Sequence, residues 1–423
     1  MKRHEKYKPT GIQWLPEIAE HWEEKRLASH FHGRVESNSD FEFKRAYKFN
    51  YGSVVPKNET GGFAEYRDVY VRYSKVLQND ILINGLNLNY DFVSQRVALV
   101  PAPGIVTAAY VVLRPLATTY APYFCYLFKA MDSQKLFHGM GTGIRLTLSF
   151  DELKKQFIPV PSLEEQREIA AYLDKRISLI ENCKCQRERE LQTLNELKQA
   201  EIASVVTRGL NPNVPMKDSG IFWQPLIPQN WSVTKLKHVL TKLDRPRGPE
   251  DELLVCSNSG EVKKRGDSKL GLVADSDEIY QGVRSGDLLI HGMDTWHGAI
   301  AVSNYNGMCT PVVHVCDSAQ NKKYIALYLR NMANQKVFKL ISNGVRQNTS
   351  DFRSWGKVGT ILIPIPPIEE QNAIVEYIES KTNKIDTMIE ALKAEIDRLT
   401  EYKQRLISDV VTGQIDVRGE QIQ

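Results

Sequence analysis

Apolar and polar positions along this chain fall into two textures that alternate twice. From residue 1 to about residue 158 the apolar runs are short: Val69–Val71, Ile81–Ile83, Val97–Val100 and Tyr110–Leu113. They are rich in β-branched and aromatic residues and bounded by Gly, Pro, Asn or Asp, which predicts strands. Helical periodicity interrupts them near Pro122–Met131 and Phe150–Gln156. The second texture begins at Ser162 and runs to Val206 without a Gly or Pro in 45 residues, and it returns from Ile368 to about Val411. The pattern predicts an α+β protein with two globular domains, 1–158 and 211–363. A long helix follows each, within 159–210 and 364–423.

The ends of the long helices are legible. Ser162 followed by Glu165 fits a capping box, with the hydroxyl accepting from the third amide and the carboxylate reaching back. In the other copy Pro367 suits a first turn whose N–H has no partner anyway. Gly209 and Gly413 stand where a left-handed residue closes a helix. At 1.5 Å per residue such a helix is a rod of ~65 Å.

A rod of that length needs a partner. Steps of seven give Ile378, Ile385, Leu392, Leu399 and Leu406 in the second helix, with Ile389 and Ile396 beside them. The same positions in the first helix give Leu173, Ile177, Ile180, Leu191 and Leu194, interrupted by Lys184, Arg187, Lys198 and Glu201. Heptads sustained this far predict a coiled coil rather than two helices each lying on its own domain.

The chain also repeats itself. Gly11-Ile12-Gln13-Trp14 with Trp22 returns as Gly220-Ile221-Phe222-Trp223 with Trp231. Asp80-Ile81-Leu82-Ile83 returns as Asp287-Leu288-Leu289-Ile290, and Tyr123, Lys135, Gly143 and Arg145 return as Tyr324, Lys336, Gly344 and Arg346. Pro159-Val160-Pro161 with Glu164-Glu165-Gln166 matches Pro364-Ile365-Pro366 with Glu369-Glu370-Gln371. The offsets drift between 201 and 209, as short insertions in loops require. The chain is a tandem duplication of a unit of roughly 205 residues. Two such units with isologously paired helices favour an antiparallel pair, which would bring residues near 423 beside the first domain.

Composition narrows the class. The 423 residues are 42% hydrophobic and 25% charged, with no apolar stretch long enough to span a bilayer. Six cysteines are too few for a disulfide scaffold and fit a reducing cytoplasm. No apolar segment follows Met1-Lys2-Arg3, so no secretory signal is expected. A net charge of +4 leaves partners open, because basic residues on one face disappear in the sum.

The paired Gly-x-x-Trp…Trp openings, the Pro-x-Pro…Glu-Glu-Gln helix starts and the Gly-x-Arg segments, at one spacing across the whole chain, resemble the specificity subunits of type I restriction–modification systems. One departure is local: the family's Ile-Pro before the second Trp is Ile227-Pro228 in one copy and Ile18-Ala19 in the other. The resemblance implies two target-recognition domains held apart by antiparallel helices, each reading half of a split double-stranded DNA target. It implies partners too: methyltransferase subunits, two per chain, and through them restriction or motor subunits. No catalytic role and no cofactor are implied.

Motifs for catalysis are missing. There is no phosphate loop, and Asn211-Pro212-Asn213-Val214 lacks the second Pro and the aromatic of an amino-methyltransferase motif. Glu261-Val262-Lys263 has nuclease residue types, but such triplets arise by chance. Cys309, His314 and Cys316 lack the paired Cys-x₂₋₄-Cys element of zinc sites, and Cys183 and Cys185 point to different helix faces, so no metal site is expected. For DNA contact, Arg and Lys suit guanine, and Asn and Gln suit adenine. The first domain offers Asn84, Asn87, Asn89, Gln95 and Arg96; the second offers Arg245, Arg247, Lys263, Lys264, Arg265, His291, Asp294, Trp296 and His297. Arg145 and Arg346, each behind a Gly, suit a phosphate contact common to both domains, or a structural role. A duplicated scaffold that binds proteins instead of DNA is the alternative.

Overall fold

The computed structural model describes residues 2–33, 36–58, 65–88, 95–144, 146–266, 279–342 and 352–420. They form two compact units: residues 1–188 with 394–423, and residues 189–393. Each long helix, Leu163–Arg208 and Ile368–Val411, therefore gives one part to each unit.

Each unit is built on a four-stranded antiparallel sheet. In the first unit the order is Phe31–Gly33, Val111–Pro115, Ile81–Ile83 and Val97–Leu99. In the second it is Thr241–Lys242, Val313–Asp317, Leu288–His291 and Ile300–Val302. The runs Ile81-Leu82-Ile83 and Leu288-Leu289-Ile290 are buried throughout because both faces of the sheet are covered. Ile81 and Ile83 join the core beneath the helix Ala121–Ser133, while Leu82 faces a second cluster with Tyr47 and Val112. Leu288 and Ile290 face the core of helix Lys322–Asn334, and Leu289 joins Leu254 and Val315 on the other side. Val69 departs from the strand expectation. It lies in a helical turn, Arg67–Tyr70, because Tyr66, Tyr70 and Tyr73 pack together and draw the chain into a turn.

The long helices run antiparallel where they meet within each unit. In the first, Lys403 pairs with Glu181 at 2.6 Å and Arg187 with Glu395 at 3.0 Å. In the second, Lys198 pairs with Asp386 at 2.6 Å, and the Tyr377 hydroxyl donates to Glu201. These contacts explain the charges that break the first helix's seam, since Arg187, Lys198 and Glu201 each meet a polar side chain of the other helix. Half-exposed pairs of this kind contribute ~0–1 kcal/mol each, so they set register more than stability. The apolar part of the seam grades with position. Leu173, Ile180 and Leu406 are buried in the first core with Ile177 and Leu399 packed against it, and Ile378 is buried in the second. Leu191, Leu194, Ile385 and Leu392, further from the domains, are half-buried.

Repeated residues fasten each domain to the helices. The Tyr123 hydroxyl donates toward the carbonyls of Pro159 and Val411, and the Tyr324 hydroxyl toward those of Pro364 and Val206. Gln166 holds the carbonyl of Pro161 and the amide of Tyr120; Gln371 holds Pro366 and Asn321 in the same way. Gly413 and Gly209 both close their helices at φ 75°, and a Cβ on Gly413 would lie 3.2 Å from the Trp22 ring. Half of the expected capping box is present: the Glu165 amide donates to Ser162 Oγ, but the Glu165 carboxylate turns to His21 instead. The first residues lie against the end of the second helix, with the Asp416 amide donating to the Lys2 carbonyl at 2.8 Å.

Candidate nucleic-acid interface

In each unit the strand at the centre of the sheet ends in a loop that begins the same way. Asn84-Gly85 follows Ile81–Ile83, and Gly292 follows Leu288–His291. Neither glycine tolerates a side chain. A Cβ on Gly85 would lie 2.3 Å from the Leu148 carbonyl, and one on Gly292 would lie 2.8 Å from the Phe352 carbonyl. Close backbone packing thus aims both loops, while the residues beyond the glycine differ.

In the first unit the loop is held from inside. Arg96 is buried, and its guanidinium donates to the carbonyls of Asn84 at 2.8 Å, Leu86 at 2.7 Å and Asn87 at 3.2 Å. The amides of Gln95 and Arg96 both donate to one carboxylate oxygen of buried Asp132, at 2.7 and 2.8 Å. Burial raises the Asp132 pKa, against the two amide bonds that favour its charged form. With three guanidinium hydrogen bonds going to the loop's own carbonyls, buried Arg96 shapes the loop from inside. Asn87 at φ 50° and Gln95 at φ 134° are exposed on the loop it shapes. Gln95 also lines a groove of about 490 Å³ together with Lys129 and Lys135.

In the second unit the loop is a compact turn. The Asp294 amide donates to His291 Nδ1 at 3.1 Å, and the Asp294 carboxylate lies 3.3 Å from His291 and 3.8 Å from His297. Burial lowers the His291 pKa, partly opposed by Asp294. An imidazole accepting at Nδ1 is neutral, which leaves Nε2–H as a donor. His297 is exposed and Asp294 half-exposed, while Trp296 packs partly into the core with the Lys339 ammonium 5.5 Å from its ring centre.

The other basic candidates of this unit divide. Arg245 is half-buried and its Nη1 donates to buried Asp287 at 2.7 Å. The matching Asp80 holds Arg114 through two bonds at 2.9 and 2.7 Å. Arg247 is half-exposed. Lys263 and Lys264 stand exposed on the hairpin of Leu254–Cys256 and Val262–Lys264, paired with exposed Glu261 and Glu252, and Arg265 follows them. Surface pairs of this kind yield readily to a phosphate. Asn89, Arg145 and Arg346 lie outside the described residues.

The two loop glycines and Arg114 are residues that the sequence patterns above do not single out. A signal for the first existed, since Gly85 and Gly292 keep the 207 offset of the strand before them. Cys309, His314 and Cys316 are buried among the strands, and His314 Nε2 lies 2.7 Å from the Phe352 carbonyl, a core position.

Two copies of one α+β unit, each carrying part of both antiparallel helices and a distinct loop on a common frame, define a duplicated recognition protein. Residues 21–193 match the type I restriction modification DNA specificity domain. The putative type I restriction enzyme MjaX specificity subunit of Methanocaldococcus jannaschii is 23% identical over 72% of this chain and 71% of its own length. A chain from a solved type I R–M system covers 94% of this one and 99% of itself, at TM-score 0.70 and 14% identity. The HsdS subunit from Thermoanaerobacter tengcongensis covers 94% and 98%, at TM-score 0.50 and 17% identity. The chain is thus similar in sequence to specificity subunits of type I restriction enzymes and shares its fold with the solved type I R–M chains. Among the described residues no helix is long and apolar enough to cross a membrane.

Proposed function

We propose that each unit reads one half of a bipartite, asymmetric DNA target, the first through Asn84, Asn87 and Gln95 and the second through His291, Asp294 and His297. Arg247, Lys263, Lys264 and Arg265 supply phosphate contacts beside the second loop, and Asn89, Arg145 and Arg346 complete the candidate set. The paired helices set the spacing of the half-sites and dock two methyltransferase subunits, which carry adenine methylation and bring the restriction or motor subunits. The chain itself does no chemistry and works in the cytoplasm, with the DNA.

One observation supports this reading: a frame repeated in its strands, fastening tyrosines and loop glycines presents loops whose side chains differ in hydrogen-bonding code. A protein that bound one partner twice would need the same loop in both copies. The scaffold alternative is separated by fluorescence anisotropy of the full chain on duplex DNA. Binding that weakens linearly in log affinity with log salt is expected of phosphate contacts, and salt-independent absence of binding would leave the scaffold.

A further inference from the structure

We propose that His4, His21 and Glu165 form a divalent-cation site of zinc-binding chemistry that fastens the first residues of the chain to the start of the first long helix. One ligand atom from each of the three lies within 4.8 Å of the others. His21 Nε2 is 3.3 and 3.1 Å from the two Glu165 oxygens. Two ligands of a tetrahedral zinc ion with bonds of about 2.0–2.1 Å lie roughly 3.3 Å apart, so this pair already has the required separation. His4 and Glu165 are buried and His21 is exposed, which gives an ion a route in from solvent.

The surroundings supply a second ligand shell. His4 Nδ1 faces Asp416 Oδ2 at 3.7 Å, the carboxylate–histidine arrangement that orients a metal ligand. Nδ1 also receives the Arg418 guanidinium at 3.3 Å, so Nε2 is the ring atom left for an ion. Binding there puts the proton on Nδ1, where it donates to Asp416 and releases Arg418. The site also accounts for Glu165 leaving the capping box half made: its carboxylate is drawn to His21 rather than to the helix start.

The second unit shows why only the first has this site. There the matching positions are Asn230 and Glu370, joined by an amide–carboxylate hydrogen bond of 3.0 Å, and Asn213 stands 209 residues after His4. In that unit the hairpin strand Met216–Asp218 follows the first long helix by a few covalent links. The matching strand Tyr7–Pro9 has no such link to the second helix and is held to the segment after it by hydrogen bonds from Tyr7 and Asp416. An ion on His4, His21 and Glu165 would strengthen the joint that the other unit makes covalently.

The test uses the full, tag-free chain carrying Cys183→Ser and Cys185→Ser, stripped with a chelator and titrated with zinc by calorimetry. One zinc per chain with micromolar or tighter affinity is expected, together with a rise in melting temperature. His21→Ala should lose the ion, and its melting temperature should be the same with and without zinc, so the comparison is made against the variant's own metal-free form. Arg418→Ala should keep the site. Cobalt should give tetrahedral absorption without a thiolate charge-transfer band. No saturable zinc in the parent, undiminished zinc in His21→Ala, or a thiolate band would each overturn the proposal.

Discussion

The loops after Ile81–Ile83 and Leu288–His291 leave equivalent strands past equivalent glycines, yet they are supported by opposite means. In the first unit Arg96 and Asp132 form a buried polar clamp. In the second, Ala299 stands at the place of Arg96, its carbonyl accepting from His291 as that of Arg96 accepts from Asn84. Ala333 stands 201 residues after Asp132, the offset shared by Tyr123 and Tyr324. Both alanines are buried, and the loop holds itself through the His291–Asp294 turn. The frame is set by backbone contacts and glycines that do not depend on the reading side chains. A loop and its support can therefore change together while the sheet, the tyrosine fastenings and the helices stay alike.

The sharpest way to break this comparison is to give the first unit the second's support. Arg96→Ala alone leaves three loop carbonyls without their charged donor and weakens the field that favours the Asp132 carboxylate, and should cost ~1.5–3 kcal/mol in chemical denaturation. Arg96→Ala with Asp132→Ala should cost clearly less than the two single changes summed, as a coupled pair must. Strict additivity would show that the clamp is not one device. Recognition of the first half-site should weaken in Arg96→Ala with the second unaffected.

The shared frame is tested by matched changes. Tyr123→Phe and Tyr324→Phe each strip a donor from a buried carbonyl pair, and each should cost ~1–3 kcal/mol. A large loss in one and none in the other would mean that the fastenings are not equivalent.

Acid should weaken both units. Burial lowers the pKa of His30 in the first and of His291 and His314 in the second. The unfolded chain takes protons at the ordinary histidine value near 6.5, and the folded chain does so only below it. Stability is thus full above that pH and falls as pH drops through 6.5 toward the folded values. Denaturant midpoints measured from neutral pH down to about pH 5 should decline steadily, and a flat profile would contradict neutral buried imidazoles. The smallest effect belongs to the helix pair. Lys198→Ala removes a half-exposed bridge to Asp386 and should cost ~0.2–1 kcal/mol, with high salt erasing most of the difference.

Much of this was legible in the sequence. The duplication exposed the frame because its residues make backbone contacts that few alternatives satisfy: the Trp22 ring beside Gly413, the hydroxyls of the equivalent Tyr123 and Tyr324 on carbonyls of their own units, and the side chains of Gln166 and Gln371 on the carbonyls of Pro161 and Pro366. The long helices followed from heptads and from the absence of Gly and Pro. Their interrupted seam made sense only when Arg187 and Lys198 met acids from the other helix, which no single-helix pattern displays. The site was read less well. Arg96 and Arg245 looked like free cations beside polar loops, and only the fold brings carbonyls and Asp287 to them. His4, His21 and Glu165 are far apart in sequence and share no motif, so their meeting is a property of the fold alone.

The central claim is that the units read their half-sites independently on one frame. Its direct test is to replace residues 30–140 with the matching region of a relative of different specificity, and to map modified adenines across the genome of cells carrying the hybrid with its methyltransferase partners. The account predicts a bipartite motif in which one half changes while the other half and the spacing persist. A motif altered in both halves, or in neither, would contradict it.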